Sequence, residues 1–364
     1  MSETNISNSS YGDMANTITN YTVATMQTDG VSGQKETEWQ NTNWGQQLGY
    51  YKKLPELRAA VDALATWTIG KGFKASELTT LLLMNIRGHG KDTFNSILRN
   101  MIVVMEVSGD AFAEIIRDDD GKLINLKTLD PSTIKIIANQ KGIITRYEQT
   151  SKTKDTPPKK FTPDEMFHIS RNRIADEIHG ISITEALEEI MLARNESMTD
   201  QRTLMHRHVK PVNKFILDTD DPAKIAEFKS KADYAVGNGE NLYIPKGAVE
   251  QELVSVPANA TLNPLPWIDR LNAYFYQATG IPQILVGGSQ EMTEATAKIL
   301  YLAHEQTTEA RQLYIEEQVL GQLNLLINLE FPASLKNEVL ASQQKEETMQ
   351  ASTPEDTSVT GGGV

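Results

Sequence analysis

The chain has 364 residues, no cysteine, 35 Lys and Arg against 48 Asp and Glu, and a formal net charge of −13. That length supports a large core and two or three lobes, while the acidic balance argues against holding nucleic acid by phosphate neutralisation, which takes clustered Lys and Arg. The absence of cysteine excludes a disulfide framework, a thiolate metal site and a Cys nucleophile.

Residues 1–40 are rich in Ser, Thr and Asn and read as an extended arm. They lack the basic and apolar regions of a signal peptide, and no apolar run in the chain approaches the ~20 residues of a membrane span. A soluble chain made in a reducing cytoplasm is expected. "LPELRAAVDALATWTIG" is a helix with Pro55 in its first turn, Leu57, Val61 and Leu64 on one stripe, and a Gly70 stop. "DTFNSILRNMIVVMEV" repeats Phe94, Ile97, Leu98, Met101, Ile102 and Met105 at core-helix spacing, with Asp92 as the expected N-cap.

From Gly109 the signal changes. Ala111 to Ile116 reads as a strand, "RDDDGK" as a hairpin turn with Gly121 available for positive φ, and Leu123 to Leu129 as the return strand. "LDPST" turns the chain into "TIKII", "GIITRYEQT" pairs back, and a long polar loop leads to the short strand "EMFHI". Residues 41–183 are thus expected to form a β-rich lobe.

A different kind of helix covers 184–210. Its first half carries Ile183, Leu187, Ile190 and Met191, and its second half, "ARNESMTDQRTLMHRH", is polar nearly all round. Such a helix bridges solvent or packs against copies of itself. Residues 211–257 read as strand, short helix, strand, strand, a compact α/β insert. Another helix lies within 258–284, from Leu265 to about Thr279, and is stopped at Gly280 and Pro282. A Gly-containing loop follows over 285–293. The last helix, expected from Thr293 to Leu329 within 294–331, would be about 37 residues, far above the usual ~11–12. Ile299, Leu313, Leu320 and Ile327 fall on a seven-residue grid in it. The tail, 332–364, has no aromatic residue and is expected to be mobile. The fold class is α+β.

The chemistry-bearing residues gather into no catalytic constellation. "RDDDGK" resembles part of a calcium loop but lacks the closing Glu, which leaves a hairpin turn. His206 and His208, at i and i+2 on a helix, face apart. His168 and His179 lack partners at ligand spacing, and Glu188 and Glu189 lie on a helix surface. There is no Walker loop, Rossmann fingerprint, nucleophile elbow or metalloprotease pair. No enzyme, cofactor or metal site is expected.

Three stretches carry a resemblance: "GDAFAEIIRDDDGKLINLKTLDPSTIKI", "FTPDEMFHISRNRIADEIHGISITEALEEIMLARN", and "ATGIPQILVGG" followed by "TEATAKILYLAHEQT". Their order resembles that of the portal proteins of tailed bacteriophages and related archaeal viruses, of the short HK97-like type, a family that reads as a Gly-Asn/Asp-aromatic strand, Leu-Asp-Pro turn, Asp-Glu-apolar-x-His strand, Gly-apolar-Ser helix start and Gly-apolar-Pro helix end. The match runs in order over about residues 40–330.

The resemblance implies a portal fold with a β-rich wing, two stem helices, a small α/β clip, a tunnel loop and one long C-terminal wing helix. It also implies a ring, usually of twelve copies, at one capsid vertex. Such a ring conducts double-stranded DNA in packaging and ejection. It docks the terminase large subunit and later a head-completion or adaptor protein, and it sits among major capsid protein. The chain would belong to the virion, after assembly in the host cytoplasm. The tunnel loop would be Gly287, Gly288, Ser289, Gln290, Glu291 and Met292. Stem positions would be Met198, Arg202, Met205, Trp267 and Arg270. The clip would present Asp218, Asp220, Asp221, Lys224, Glu227, Lys231, Asn238 and Glu240. The alternatives are another oligomeric virion component without a continuous channel, such as a head-completion or minor capsid protein, and a hydrolase with dispersed active-site residues.

Overall fold

A computed structural model describes residues 36–151, 157–209, 212–217, 219, 221–238, 249–254, 264–287 and 293–331. The arm up to residue 35 and the tail from 332 lie outside the described residues. The chain divides into two units, one of residues up to Ala186 and from Tyr276 onward, the other of Leu187–Phe275.

The first unit begins with β1 (Thr37–Gln40), α1 (Trp44–Lys53), α2 (Pro55–Ile69), β2 (Phe73–Lys74), α3 (Glu77–Met84) and α4 (Phe94–Ser108). α2 starts on Pro55 and is ended by Gly70 at φ 59, as its sequence predicts. Leu57, Val61 and Leu64 are fully buried. α4 buries Phe94, Ile97, Leu98, Met101, Ile102 and Met105, each worth about 1.5–3 kcal/mol in transfer free energy. Its N-cap is Thr93, a correction to Asp92. Thr93 and Ser96 exchange side chain-to-backbone hydrogen bonds in a capping box, whereas Asp92 Oδ2 accepts from His89 N at 2.9 Å and closes the preceding turn.

The strands β3 (Asp110–Arg117), β4 (Leu123–Leu129), β5 (Ile134–Ala138), β6 (Ile144–Gln149), β7 (Lys159–Phe161) and β8 (Met166–Ser170) follow. The β3–β4 hairpin turns over Gly121 at φ 78. β8 pairs on the other side of β3, so one sheet has the order β4-β3-β8 and a second the order β1-β5-β6-β7. The last residues of the expected arm are therefore a sheet strand. Trp39 lies opposite Ile136 and stacks on His179 at 4.3 Å. The lobe read as β-rich carries four helices beside its strands.

The rest of the chain is α5 (Ile183–Val209), β9 (Val212–Leu217), α6 (Pro222–Asn238), β10 (Val249–Val254), α7 (Leu265–Thr279), α8 (Glu294–Leu323) and β11 (Asn328–Leu329). α5 and α7 match their expected spans closely. β9 and β10 pair antiparallel, with Val212 opposite Val254. The middle one of the three strands expected in the insert lies outside the described residues. Among the described side chains of α6 only Ala232 is buried, and Ile225 and Tyr234 stand exposed.

The final helix is a second correction. α8 has 30 residues and stops at Asn324, whose φ 58 and ψ 37 form a left-handed cap that Asn tolerates. The chain then returns as β11 against β2, with Leu329 opposite Phe73. Ile327 is buried beyond the helix, while Ile299, Leu313 and Leu320 remain exposed on it. The core of the first unit gathers Ala65 of α2, Leu98 of α4, Phe167 of β8, Val319 of α8 and Leu329 of β11 in one cluster.

Candidate functional site

At the end of α4, Gly109 takes φ 89 and turns the chain into β3. Gly180 returns onto this turn. A Cβ on Gly109 would collide with the Gly180 carbonyl, and one on Gly180 with the Gly109 carbonyl and the Arg171 backbone. Backbone touches backbone here, so both positions require glycine. The neighbouring Asp110 is buried, and its two oxygens accept from Gly180 N at 2.9 and 3.0 Å. Asp110 Oδ1 also lies 2.9 Å from His168 Nε2, and His168 Nδ1 is 3.1 Å from the Tyr147 hydroxyl.

Ser182 anchors the start of α5 in the same place. Its Oγ donates to Val107 O at 2.5 Å and accepts from Thr184 N at 3.0 Å, the bond of an N-cap. One turn back in α4, the buried Glu106 receives Arg171 Nε at 2.8 Å and Arg311 Nε at 3.5 Å. The three motifs that carry the resemblance in the wing (Gly109–Asp110, His168 and Gly180–Ser182) thus meet in one buried polar knot at the root of α5.

Asp110, His168 and Tyr147 have the residue types of a proton relay, but the arrangement is a clamp. Each carboxylate oxygen and each imidazole nitrogen is already engaged within the protein. Burial, and then the Asp110 charge, pushes the Tyr147 hydroxyl above its usual value, so it stays a neutral donor. Sequence reasoning left His168 without companions because they come from 58 and 21 residues away. A local signal was present. Glu106 and His168 interrupt the apolar runs "IVVMEV" and "EMFHI", where burial without a partner would be costly.

The stem positions lie on two helices of the second unit. Met198, Met205 and Trp267 are 51%, 55% and 53% exposed, and Arg202 and Arg270 are exposed as well. Arg270 Nε donates to the Tyr274 hydroxyl at 3.0 Å and its guanidinium covers that ring. On the covered side, Arg194 Nη1 of α5 reaches Asn272 Oδ1 of α7 at 3.4 Å, and α7 buries Leu271 and Phe275.

The clip positions fall mostly on α6. Asp221 Oδ1 accepts from Ala223 N at 3.0 Å at its start, and Asn238 ends it. Lys224 is exposed, and Glu227 pairs with Lys231 at 2.7 Å, one turn apart. That lysine holds the Glu227 carboxyl below its usual range. Asp218, Asp220 and Glu240 lie outside the described residues. Of the loop positions, Gly287 is described, at φ 107 after the one-turn segment Gln283–Leu285. Gly288, Ser289, Gln290, Glu291 and Met292 lie outside the described residues. Thr293 caps α8 by accepting from Thr296 N at 3.4 Å. Among the described residues, no group of His, Asp and Glu gathers at metal-binding spacing, and no helix is long and apolar enough to cross a membrane.

Comparison with curated proteins gives no match. Among solved structures, the chain is similar to one in the neck of a native GTA particle computed with C12 symmetry. The TM-score is 0.66 at 15% identity, over 88% of this chain and 92% of that one. A chain in the virion of a native gene transfer agent particle gives 0.65 at 15% identity, over 90% and 94%. One in the neck of an empty GTA particle computed with C6 symmetry gives 0.62 at 15% identity, over 87% and 92%. At that identity the likeness is one of fold. The sequence itself matches the family described as "Phage portal protein" over residues 63–300. Portal proteins are structural, non-enzymatic components of the phage virion. With well over half of its length matched, from helix α2 through α5 and α7 into α8, this chain belongs to the phage portal protein family.

Proposed function

We propose that copies of this chain assemble as a ring at one vertex of a viral head, and that double-stranded DNA passes through its centre during packaging and ejection. The observation that carries this is the pair of helices α5 and α7, which leave Leu192, Met198, Met205, Leu265 and Trp267 exposed on a single chain. Single exposed apolar residues are ordinary, but a set on two adjoining helices suits burial against the same helices of the next copy. The shared fold with a neck computed with C12 symmetry supports a ring of twelve.

In this reading Met198, Arg202, Met205, Trp267 and Arg270 face adjoining copies or the channel. Exposed α6, with Asp221, Lys224, Glu227 and Lys231, presents a docking surface outside the head, together with the flanking Asp218, Asp220, Asn238 and Glu240. The packaging motor, the terminase large subunit, binds there first and a head-completion protein later, while major capsid protein surrounds the wing. The loop from Gly287 to Met292 approaches the duplex. It carries Glu291 and no Lys or Arg, so it repels phosphate and lets DNA slide.

The first test is the mass of the purified protein by light scattering, with negative-stain images of the same fraction. Rings of about a dozen copies with an open centre support the reading. A stable monomer or dimer at high concentration overturns it. Gln290→Lys with Glu291→Lys should slow or stall packaging, and unchanged packaging would remove the electrostatic argument for the loop.

A further inference from the structure

Between α8 and the outer edge of β8 lies a cleft of about 860 Å³. Ile102, Met105, Ile144 and Met166 make an apolar wall, and Arg171, Arg173 and Arg311 bring three guanidiniums to it. Glu106 is the one carboxylate in the lining, and it is already shared between Arg171 and Arg311. This is a cationic cleft in a chain of formal net charge −13. Arg311 Nη1 is buried there without an acceptor, and Arg173 has no ion-pair partner among the described residues. The segment that presents Arg171 and Arg173 holds Asn172 at φ 46 and Ala175 at φ 53, conformations that cost energy in the absence of glycine.

The cleft is not built to receive another strand. Gln322 donates to His168 O at 2.7 Å and accepts from His168 N at 2.8 Å, and the Tyr314 hydroxyl accepts from Ser170 N at 3.0 Å. The His168 N–H and carbonyl and the Ser170 N–H of the β8 edge are therefore served from α8, and side-chain donors remain unserved in the cleft. A group with a carboxylate and apolar flanks fits them.

We propose that the chain's own N-terminal segment lies in this cleft, with the Asp29 carboxylate on Arg311 and Arg173. The segment enters the fold beside it. Glu36, the first described residue, is held by Arg146 Nη1 and Nη2 at 3.0 and 2.9 Å, and Ile144 and Tyr147 of the same strand, β6, line the cleft. Met1 to Gln34 contain no Lys or Arg, and Glu3, Asp13 and Asp29 are their charged residues. Asp29 stands seven residues before Glu36, a reach of about 23 Å when extended. Met26 and Val31 flank it and supply apolar side chains for the opposite wall. Tethering so close to the site raises the segment's local concentration to about the millimolar range.

Because the chain has no cysteine, an engineered pair reports this contact without background. The full chain carrying Thr28→Cys and Thr307→Cys should form an intrachain disulfide at least about tenfold faster than one carrying Thr28→Cys and Asp120→Cys, since Thr307 lines the cleft and Asp120 lies in the exposed β3–β4 turn. Adding Asp29→Asn or Arg173→Gln should slow the first cross-link by about tenfold, a loss of roughly 1.4 kcal/mol. Cross-linking no faster than the control, or indifferent to Asp29→Asn, would overturn the proposal. So would cross-links that form only between differently labelled copies, which would place another copy's arm in the cleft.

Discussion

The backbones of Gly109 and Gly180 meet with no room for a methyl group on either. This contact brings the end of α4 against the residues that start α5, and the Asp110 carboxylate and Ser182 hydroxyl complete the joint only at that spacing. Gly180→Ala should therefore destabilise the fold by about 2–4 kcal/mol in urea titrations. Gly321, in α8, has open space where its Cβ would stand. Gly321→Ala should instead stabilise by about 0.5–1 kcal/mol through helix propensity. Equal effects of the two would contradict the packing at Gly180.

Gln322 serves His168 as the next strand of a sheet would, giving a donor to its carbonyl and an acceptor to its N–H. Gln322→Ala leaves both groups unpaired at a half-covered edge. The expected cost is about 1–3 kcal/mol, with faster amide exchange at His168 and Ser170 and little change in β3–β4. Unaltered exchange at His168 would show that the edge is protected in some other way.

His304 is buried on α8, edge-on to Trp67 at 5.7 Å. Burial first, and the nearby Arg311 charge second, lower its pKa below the usual 6.5. The unfolded chain therefore binds the proton more readily than the folded one. The stabilising effect of the neutral ring is complete above pH 6.5 and is lost as the pH falls from there toward the folded value, at up to about 1.4 kcal/mol per pH unit. The Glu36 and Glu148 carboxyls, held low by Arg146, titrate below this window. Urea midpoints measured from pH 7 to pH 5 should fall for the natural chain and stay nearly level for His304→Phe.

Met198 and Met205 face solvent on a single chain, so charging them leaves the isolated fold intact. Met198→Glu with Met205→Glu should change stability by no more than about 0.5 kcal/mol and should shift the mass seen by light scattering from that of the proposed ring toward the monomer. Rings that survive both substitutions would remove these residues from the contact between copies.

Much of the architecture was legible because its signals are local. Pro55 and Gly70 bound α2, the apolar spacing of α4 names its buried face, Gly121 marks the hairpin, and Gly280 stops α7, each from information within a few residues. The polar knot was not legible in that way. Asp110 finds His168 58 residues on and Gly180 70 residues on, separations at which no periodicity or turn rule operates. The motifs that carry the resemblance could be read as marks of a family, but their role as one joint comes from their meeting in space.

The sequence by itself determined the type of the longer elements such as α2, α4, α5, α7 and the β3–β4 hairpin, the absence of thiol chemistry, the acidic balance and the order of motifs shared with portal proteins, whereas β1, α1, β2, α3, β7 and β11 were not legible in it. Tertiary structure decided where competing local signals were broken. Thr93 rather than Asp92 caps α4 because Asp92 is taken by the turn before it. α8 ends at Asn324 although Leu325, Leu326 and Ile327 prolong an apolar run, because burying Ile327 and pairing Leu329 with Phe73 stabilises the returning strand more than further helix would. It also decided which cations stand together. Arg311 lies far along an acidic chain from Arg171 and Arg173, and the three become a single cationic cleft only once α8 lies along β8.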